Sequence, residues 1–193
     1  MNKPSGLLSV PGKNPEHKDS LIVRINRVFP TATVVHRLDM ATSGIMVFAL
    51  NKAAHKHIGL QFEKRQTRKA YIAKIYGVPA QECGSVELPL ICDWPNRPRQ
   101  KVDHETGKYA LTHWQVLRTC EDYSRVKLTP VTGRSHQLRV HMLSLGHPIL
   151  GDRLYAHEKA LAMAERLQLH AAELSFSHPS TQEWLNFTAA PEF

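Results

Sequence analysis

The sequence predicts an α+β fold with a mixed, mainly antiparallel sheet and helices packed beside it. Segments of strand character come in runs, without the regular alternation of strand and helix that a doubly wound parallel sheet requires. The 193 residues suffice for one substantial domain or two small ones, and 42% hydrophobic with 22% charged residues is ordinary for a globular protein. No apolar run reaches 18 residues, so a membrane-spanning helix is not expected.

The helices and strands follow from periodicity and from their end signals. Apolar residues at helical spacing predict helices over 19–29, 51–66, 135–145 and 158–168. Pro30 ends the first of these helices, Asn51 can cap the second, and Gly146 can end the third. Short β-branched runs predict strands over 31–35, 44–50, 69–76, 110–117, 125–128, 169–177 and 183–188. Residues 1–12 and 87–107 are predicted to be loops.

The positive charge is concentrated in one part of the chain. The net charge is +8, and residues 51–74 hold seven basic residues against Glu63 alone. Such a stripe is typical of a nucleic-acid partner, although on its own a solvated helix face is the better explanation. Cys83, Cys92 and Cys120 are far apart, and the histidines lack clustered acidic or cysteine neighbours. Neither a disulfide framework nor a metal site is expected.

A charged turn, HRLD, separates the apolar runs TATVV and IMVFAL. A charged pair between two buried strands must be satisfied or must take part in chemistry. In the simpler interpretation Asp39 caps the turn and Arg37 pairs with it. In the functional interpretation Asp39 is a working carboxylate.

Other segments carry groups that suit RNA. Tyr71, in KAYIAKIYG, is either an ordinary sheet tyrosine or a platform for a base lifted from its stack. Arg134, His136 and Gln137 open the helix of TGRSHQLRVHM, where backbone amides and arginine suit a phosphate; an ordinary capped helix is the alternative. Arg139 can be partly buried, which calls for a carboxylate partner, and Asp39 is a candidate. His136 and His141 are expected to be structural hydrogen-bonding groups rather than bases.

Two loop segments combine basic residues with an aromatic side chain. NKPSGLLSVPG contributes Lys3, and CDWPNRPRQKV contributes Trp94 and Arg97. This interleaving suits single-stranded RNA. The alternative for Trp94 is a side chain that anchors its loop to the core.

These motifs together resemble the RluA family of RNA pseudouridine synthases. HRLDMATSG resembles the family's catalytic signature, and NKPSGL, KAYIAKIYG, TGRSHQLRVHM and GHPILGDRLY follow the expected order over nearly the whole chain. The resemblance implies a mixed sheet with flanking helices and a cleft between two halves. It also implies one catalytic domain over 1–193, in the short form of the family that has no S4-like module. The chain departs from the family in one respect, because the apolar strand that usually precedes NKPSG is expected to be missing.

The resemblance also implies a reaction and residue roles. Uridine becomes pseudouridine without gain or loss of atoms, so no metal or organic cofactor is expected. Asp39 would be the essential aspartate, Tyr71 would pack on the target base, and Arg139 would hold Asp39 ionised. Arg37 would enter the space left by the flipped nucleotide. RNA contacts are expected from a wider set: Lys3, Arg37, Lys69, Trp94, Arg97, Arg134, His136 and Gln137.

The loop LPLICDWPNRPRQKV resembles that of a family member acting on 23S ribosomal RNA and on the tRNA anticodon stem-loop. The chain is accordingly expected to be a cytoplasmic monomer that binds both RNAs and no membrane. Three alternatives remain: a family member with another target uridine, a non-catalytic RNA-binding protein, and a nucleoside or glycosyl hydrolase. A hydrolase would usually need a second carboxylate, and Asp152, the other acidic residue in a shared motif, is expected to be structural.

Overall fold

The computed structural model describes residues 1–193 and divides into two compact units. The first unit combines Met1–Lys69 with His170–Glu192, and the second contains Ala70–Leu169 with Phe193. The α-helices are α1 (Leu21–Asn26), α2 (Lys52–Glu63), α3 (Gln137–Ser144) and α4 (Glu158–Ala162). Short 3-10 helices cover Pro15–His17 and Trp94–Asn96.

Twelve strands were found, and most have only two to five residues. They are β1 (Asn2–Lys3), β2 (Thr33–Val34), β3 (Ser43–Ile45), β4 (Phe48–Ala49), β5 (Arg68–Tyr76), β6 (Cys83–Glu87), β7 (Leu90–Cys92), β8 (Gln100–Val102), β9 (Leu111–Thr119), β10 (Tyr123–Pro130), β11 (Leu169–Ser177) and β12 (Trp184–Thr188).

In the first unit, the two ends of the sequence share one set of strands. Strand β3 pairs antiparallel with β1 and parallel with β11, and β11 pairs antiparallel with β12. A core of Ile45, Ile58, Leu174 and Phe176 joins β3, α2 and β11. Helix α2 begins as predicted at Asn51, whose Oδ1 accepts a hydrogen bond from the Ala54 amide (2.8 Å).

The second unit is built on antiparallel pairs. Strand β10 lies between β5 and β9, and β9 also pairs with β6. Strands β7 and β8 form a separate hairpin, joined by residues 93–99. Leu90 of this hairpin packs with Ala110 and with Val140 of α3. The predicted α+β class, with a mixed and mainly antiparallel sheet, is therefore confirmed.

Several element predictions need correction. Residues 87–107 are not a plain loop, because they contain the β7–β8 hairpin. Helix α4 ends at Ala162, not at 168, because the amide of Gln168 is hydrogen-bonded to the carbonyl of Leu150 (2.9 Å). Helix α1 ends at Asn26 rather than at 29, and strand β6 lies in a segment for which no strand was predicted.

No helix in the structure is both long enough and apolar enough to cross a bilayer. The longest, α2, has 12 residues.

Candidate active site

The backbone around Asp39 is fixed by hydrogen bonds within the first unit. Asp39 is half-buried in the connection between β2 and β3. Every carbonyl from 38 to 41 is an acceptor: Leu38 from Ser9 Oγ (2.7 Å), Asp39 from Thr42 N (3.1 Å), Met40 from Gly6 N (2.9 Å) and Ala41 from Ser5 Oγ (2.7 Å). Three of these four donors belong to the segment NKPSGLLS. That segment, the N-terminal support, therefore holds in place the backbone of the turn that carries the Asp39 carboxylate.

Lys3 is the most deeply buried part of this support. Its side chain has 0% exposure, and Nζ donates to the carbonyls of Leu7 (2.7 Å), Pro4 (2.9 Å) and Met40 (3.0 Å). An ammonium group has three N–H donors, so all of them are used inside the protein. Burial lowers the pKa of Lys3 to about 8, and the charge of Asp39 opposes the shift. The structure therefore gives Lys3 a positioning role in place of the expected direct RNA contact.

On the other side of the Asp39 turn, β3 fits tightly against β11. Gly44 has φ +119°, and a Cβ there would lie against the Ala171 carbonyl and 2.5 Å from the Ala171 amide nitrogen. Ser43 Oγ and His170 Nδ1 are 2.9 Å apart in the adjacent pair of residues. The small residues after Asp39 let two backbones approach closely.

His36, the first residue of HRLD, has a structural role. Its Nε2 accepts a hydrogen bond from the Val47 amide (3.1 Å), and its ring stacks on Phe62 of α2 with centroids 4.5 Å apart. Burial lowers the pKa of His36 to about 4, with smaller contributions from Lys69 and the N-terminal amine. A neutral ring is what this acceptor role requires.

Arg139 and Asp152 form a buried ion pair in the second unit. Arg139 is 4% exposed, and its Nε and Nη2 donate to Asp152 Oδ2 (2.7 Å) and Oδ1 (2.6 Å). Asp152 Oδ1 also accepts from the Leu154 amide (3.0 Å). Sequence reasoning expected a carboxylate partner for Arg139 but offered only Asp39. The sequence reasoning did not identify Asp152 as the partner of Arg139, but the structural role expected for Asp152 is confirmed.

Gln137 lies inside the second unit and holds the TGRS turn to β9. Its Oε1 accepts from Thr132 Oγ1 (2.7 Å) and the Arg134 amide (3.0 Å). Its Nε2 donates to the Leu111 carbonyl and to Thr112 Oγ1 (both 3.0 Å). Because the side-chain amide is fully used and buried, the expected RNA contact of Gln137 is replaced by an internal role.

Two other polar residues, one before α3 and one within it, have different surroundings. Arg134 is exposed, and its Nε donates to the Tyr109 carbonyl (3.0 Å). His141 is fully buried between Thr112 Oγ1 (2.9 Å) and the Leu88 carbonyl (3.1 Å), and burial lowers its pKa. The structural role predicted for His141 is confirmed.

The aromatic residues singled out in the sequence are in contrasting positions. Tyr71 is half-buried on β5, opposite Leu128 of β10. Trp94 is 66% exposed between β7 and β8, with the Arg97 guanidinium 4.6 Å from its ring centroid. The interpretation of Trp94 as an anchor to the core is therefore wrong. An exposed indole beside arginine is a surface on which an unpaired base can stack.

The predicted site residues divide between the two units. Asp39, Arg37, Lys3 and Lys69 belong to the first. Tyr71, Trp94, Arg97, Arg134, His136, Gln137 and Arg139 belong to the second. Arg37 is exposed, whereas Lys69 is partly buried and its pKa is lowered by that burial.

The similarity to known proteins extends over most of the chain. The family described as RNA pseudouridylate synthase matches residues 1–144. A curated relative from Yersinia pestis, named dual-specificity RNA pseudouridine synthase RluA, is 59% identical over 100% of this chain and 94% of its own length. The chain belongs to the RluA family of RNA pseudouridine synthases.

Two further RluA-family comparisons agree. The Escherichia coli K12 protein of the same name is 57% identical and covers 100% of this chain and 89% of its own length. The solved structure of human RNA Pseudouridylate Synthase Domain Containing 1 superimposes with a TM-score of 0.83 at 29% identity. It covers 100% of this chain and 79% of the human one. As an RluA-family member, the chain is a pseudouridine synthase and thus an isomerase.

Proposed function

We propose that the chain converts specific uridines to pseudouridine in 23S ribosomal RNA and in the tRNA anticodon stem-loop. The observation that carries this choice of RNAs is its 57–59% identity, over its full length, to relatives named as dual-specificity synthases. The reaction then takes place in the cytoplasm, where both RNAs are found. The chain is proposed to act as a monomer.

Asp39 is the proposed catalytic carboxylate. The N1–C1′ bond of uridine breaks, the uracil rotates, and C5 bonds to C1′; C5 then loses its proton and N1 is protonated. Asp39 either adds to C1′ or removes the C2′ proton, and both routes need an ionised carboxylate held in place. The hydrogen bonds at residues 38–41 support this role, because a fixed backbone presents the carboxylate without reorganisation.

The other catalytic assignments follow the family resemblance. Tyr71 packs on the flipped uracil, and Arg37 occupies the space that the nucleotide leaves. Arg139 pairs with Asp39 in addition to Asp152. Further RNA contacts are proposed for the accessible members of the predicted set: Lys69, Trp94, Arg97, Arg134 and His136.

Tritium release from C5-labelled uridine tests the reaction directly, because C5 loses its hydrogen when it becomes the glycosidic carbon. Transcribed 23S fragments and tRNA are incubated with the wild type and with Asp39→Asn. We expect release from both RNAs by the wild type and none by Asp39→Asn, whose RNA affinity changes by less than about threefold. Tritium release from only one of the two RNAs would contradict the proposed dual specificity. An active Asp39→Asn protein would remove the role of Asp39.

A further inference from the structure

Tyr155 lies where three parts of the second unit meet. Its Oη accepts a hydrogen bond from the amide of Gln100 (2.8 Å), the first residue of β8. The same oxygen is 2.7 Å from Nδ1 of His136, the residue that precedes α3. Its ring faces Arg139, with the guanidinium carbon 5.0 Å from the ring centroid.

The hydroxyl can serve both neighbours at once. The oxygen accepts from Gln100, and a hydroxyl can accept one hydrogen bond while it takes part in another, here the 2.7 Å contact with Nδ1 of His136. The two rings meet edge to face, with centroids 5.6 Å apart and an interplanar angle of 84°. The Tyr155 hydroxyl therefore connects the start of β8 to the residue that precedes α3.

Tyr155 is also tied to the partner of Arg139. The Tyr155 amide donates to Asp152 Oδ1 (3.3 Å), the oxygen that accepts from Arg139 Nη2. Tyr155 and Val102 of β8 also pack against the same core, formed by Leu90, Ala110 and Val140. A displacement of β8 would therefore move the Tyr155 side chain, whose ring faces Arg139.

We propose that Tyr155 is a positioning residue that couples the β7–β8 hairpin to Arg139. The hairpin carries the exposed Trp94 and Arg97, and only the connection through Gln100 and Val102 separates them from Tyr155. RNA seated on the hairpin would thereby fix the position of the arginine used in the reaction. This inference rests on the proposed function, in which the hairpin binds RNA and Arg139 acts on Asp39.

Tyr155→Phe tests the coupling, because it keeps the ring over Arg139 and removes only the hydroxyl. With a tRNA anticodon stem-loop as substrate, we expect kcat to fall about tenfold while KM changes less than twofold. Tyr76→Phe is the matched control: it removes a tyrosine hydroxyl from β5 of the same unit, where the ring meets His157 edge to face. Its kcat should stay within twofold of the wild type.

A double-mutant cycle with Trp94→Ala separates coupling from a general loss of structure. In the wild-type background, Trp94→Ala should raise KM and also lower kcat, since it weakens the contact that sets Arg139. In the Tyr155→Phe background its effect on kcat should disappear while its effect on KM remains. Equal effects on kcat in both backgrounds would overturn the proposal, as would an unchanged kcat for Tyr155→Phe alone.

Amide hydrogen exchange supplies an independent readout. Exchange at Gln100 should accelerate in Tyr155→Phe and not in Tyr76→Phe, and equal protection in both would also contradict the coupling. If Tyr155→Phe does not fold, His136→Asn replaces it in the cycle. Asn tolerates the positive φ of that position (+53°) and cannot bring a ring nitrogen to Tyr155. An inactive wild type would instead reject the proposed function itself.

Discussion

The ammonium group of Lys3 is held by three carbonyl oxygens and has no exposed surface. Lys3→Met keeps most of the side-chain volume but leaves those carbonyls without their donor. Buried unsatisfied groups of this kind cost about 1–3 kcal/mol each, partly offset here by the desolvation that the ammonium no longer suffers. We expect the free energy of unfolding to fall by about 2–4 kcal/mol and kcat to fall with it.

Urea unfolding and tritium release measure these two effects. Lys13→Met is the control, because Lys13 is exposed and outside the Asp39 turn. If Lys3→Met lowered RNA affinity but left stability and kcat intact, Lys3 would be a direct RNA contact after all.

His36 should make stability depend on pH in a defined window. Its folded pKa of about 4 lies below the ordinary value of 6.5, so the unfolded chain binds the proton more readily. Stability is therefore complete above pH 6.5 and decreases as the pH falls from 6.5 towards 4. His36→Gln can still accept a bond from the Val47 amide but does not titrate.

Urea unfolding at pH 7.5, 6 and 5 checks this. The wild type should lose more stability than His36→Gln across the window, and parallel losses would assign the pH dependence to other groups.

At the scale of elements, the pairing of β3 with β11 sets the tightest constraint. Gly44→Ala introduces a Cβ at φ +119° against the backbone of Ala171. Because the backbone cannot move aside as a flexible side chain does, we expect the free energy of unfolding to fall by more than about 4 kcal/mol. Most of the expressed protein should then be found in inclusion bodies.

Gly59→Ala is the matched comparison. Gly59 lies within α2, and a Cβ there meets nothing within 4 Å. That substitution should raise the free energy of unfolding by about 0.5–1 kcal/mol, since alanine restricts the unfolded chain. Similar unfolding midpoints for the two variants would show that β3 and β11 can separate at little cost.

The elements also show what a sequence can reveal. Strands β5 and β11 were predicted to within one residue, because each is nine residues long and apolar at most positions, which leaves a clear signal. The three-residue strands of the β7–β8 hairpin leave none, and their pairing depends on contacts with Lys108 and α3. Likewise HRLD points to Asp39 as the candidate carboxylate, but Asp152, 13 residues from Arg139, could be chosen as the partner of Arg139 only from the fold.

At the scale of the whole molecule, the net charge of +8 raises the question of whether total or local charge attracts RNA. Lys56 and Lys64 are exposed in the basic stripe of residues 51–74. Lys13 and Lys159 are exposed outside it. If the stripe contacts phosphates, Lys56→Gln with Lys64→Gln should reduce the slope of log Kd against log salt by about 2.

The matched pair, Lys13→Gln with Lys159→Gln, removes the same charge and should leave the slope nearly unchanged. Filter binding of a tRNA stem-loop at 50–300 mM salt measures both. Identical slopes for the two pairs would mean that only the total charge matters.

The pairing of Ser43 with His170 has a consequence for the timing of biosynthesis. The two residues are 127 positions apart, and at about 5–20 residues per second the ribosome needs about 6–25 s to make the second after the first. During that interval the nascent chain already contains Asp39 and its N-terminal support but lacks the strand that receives β3. The turn that carries Asp39 is therefore joined to its last supporting strand only near the end of translation.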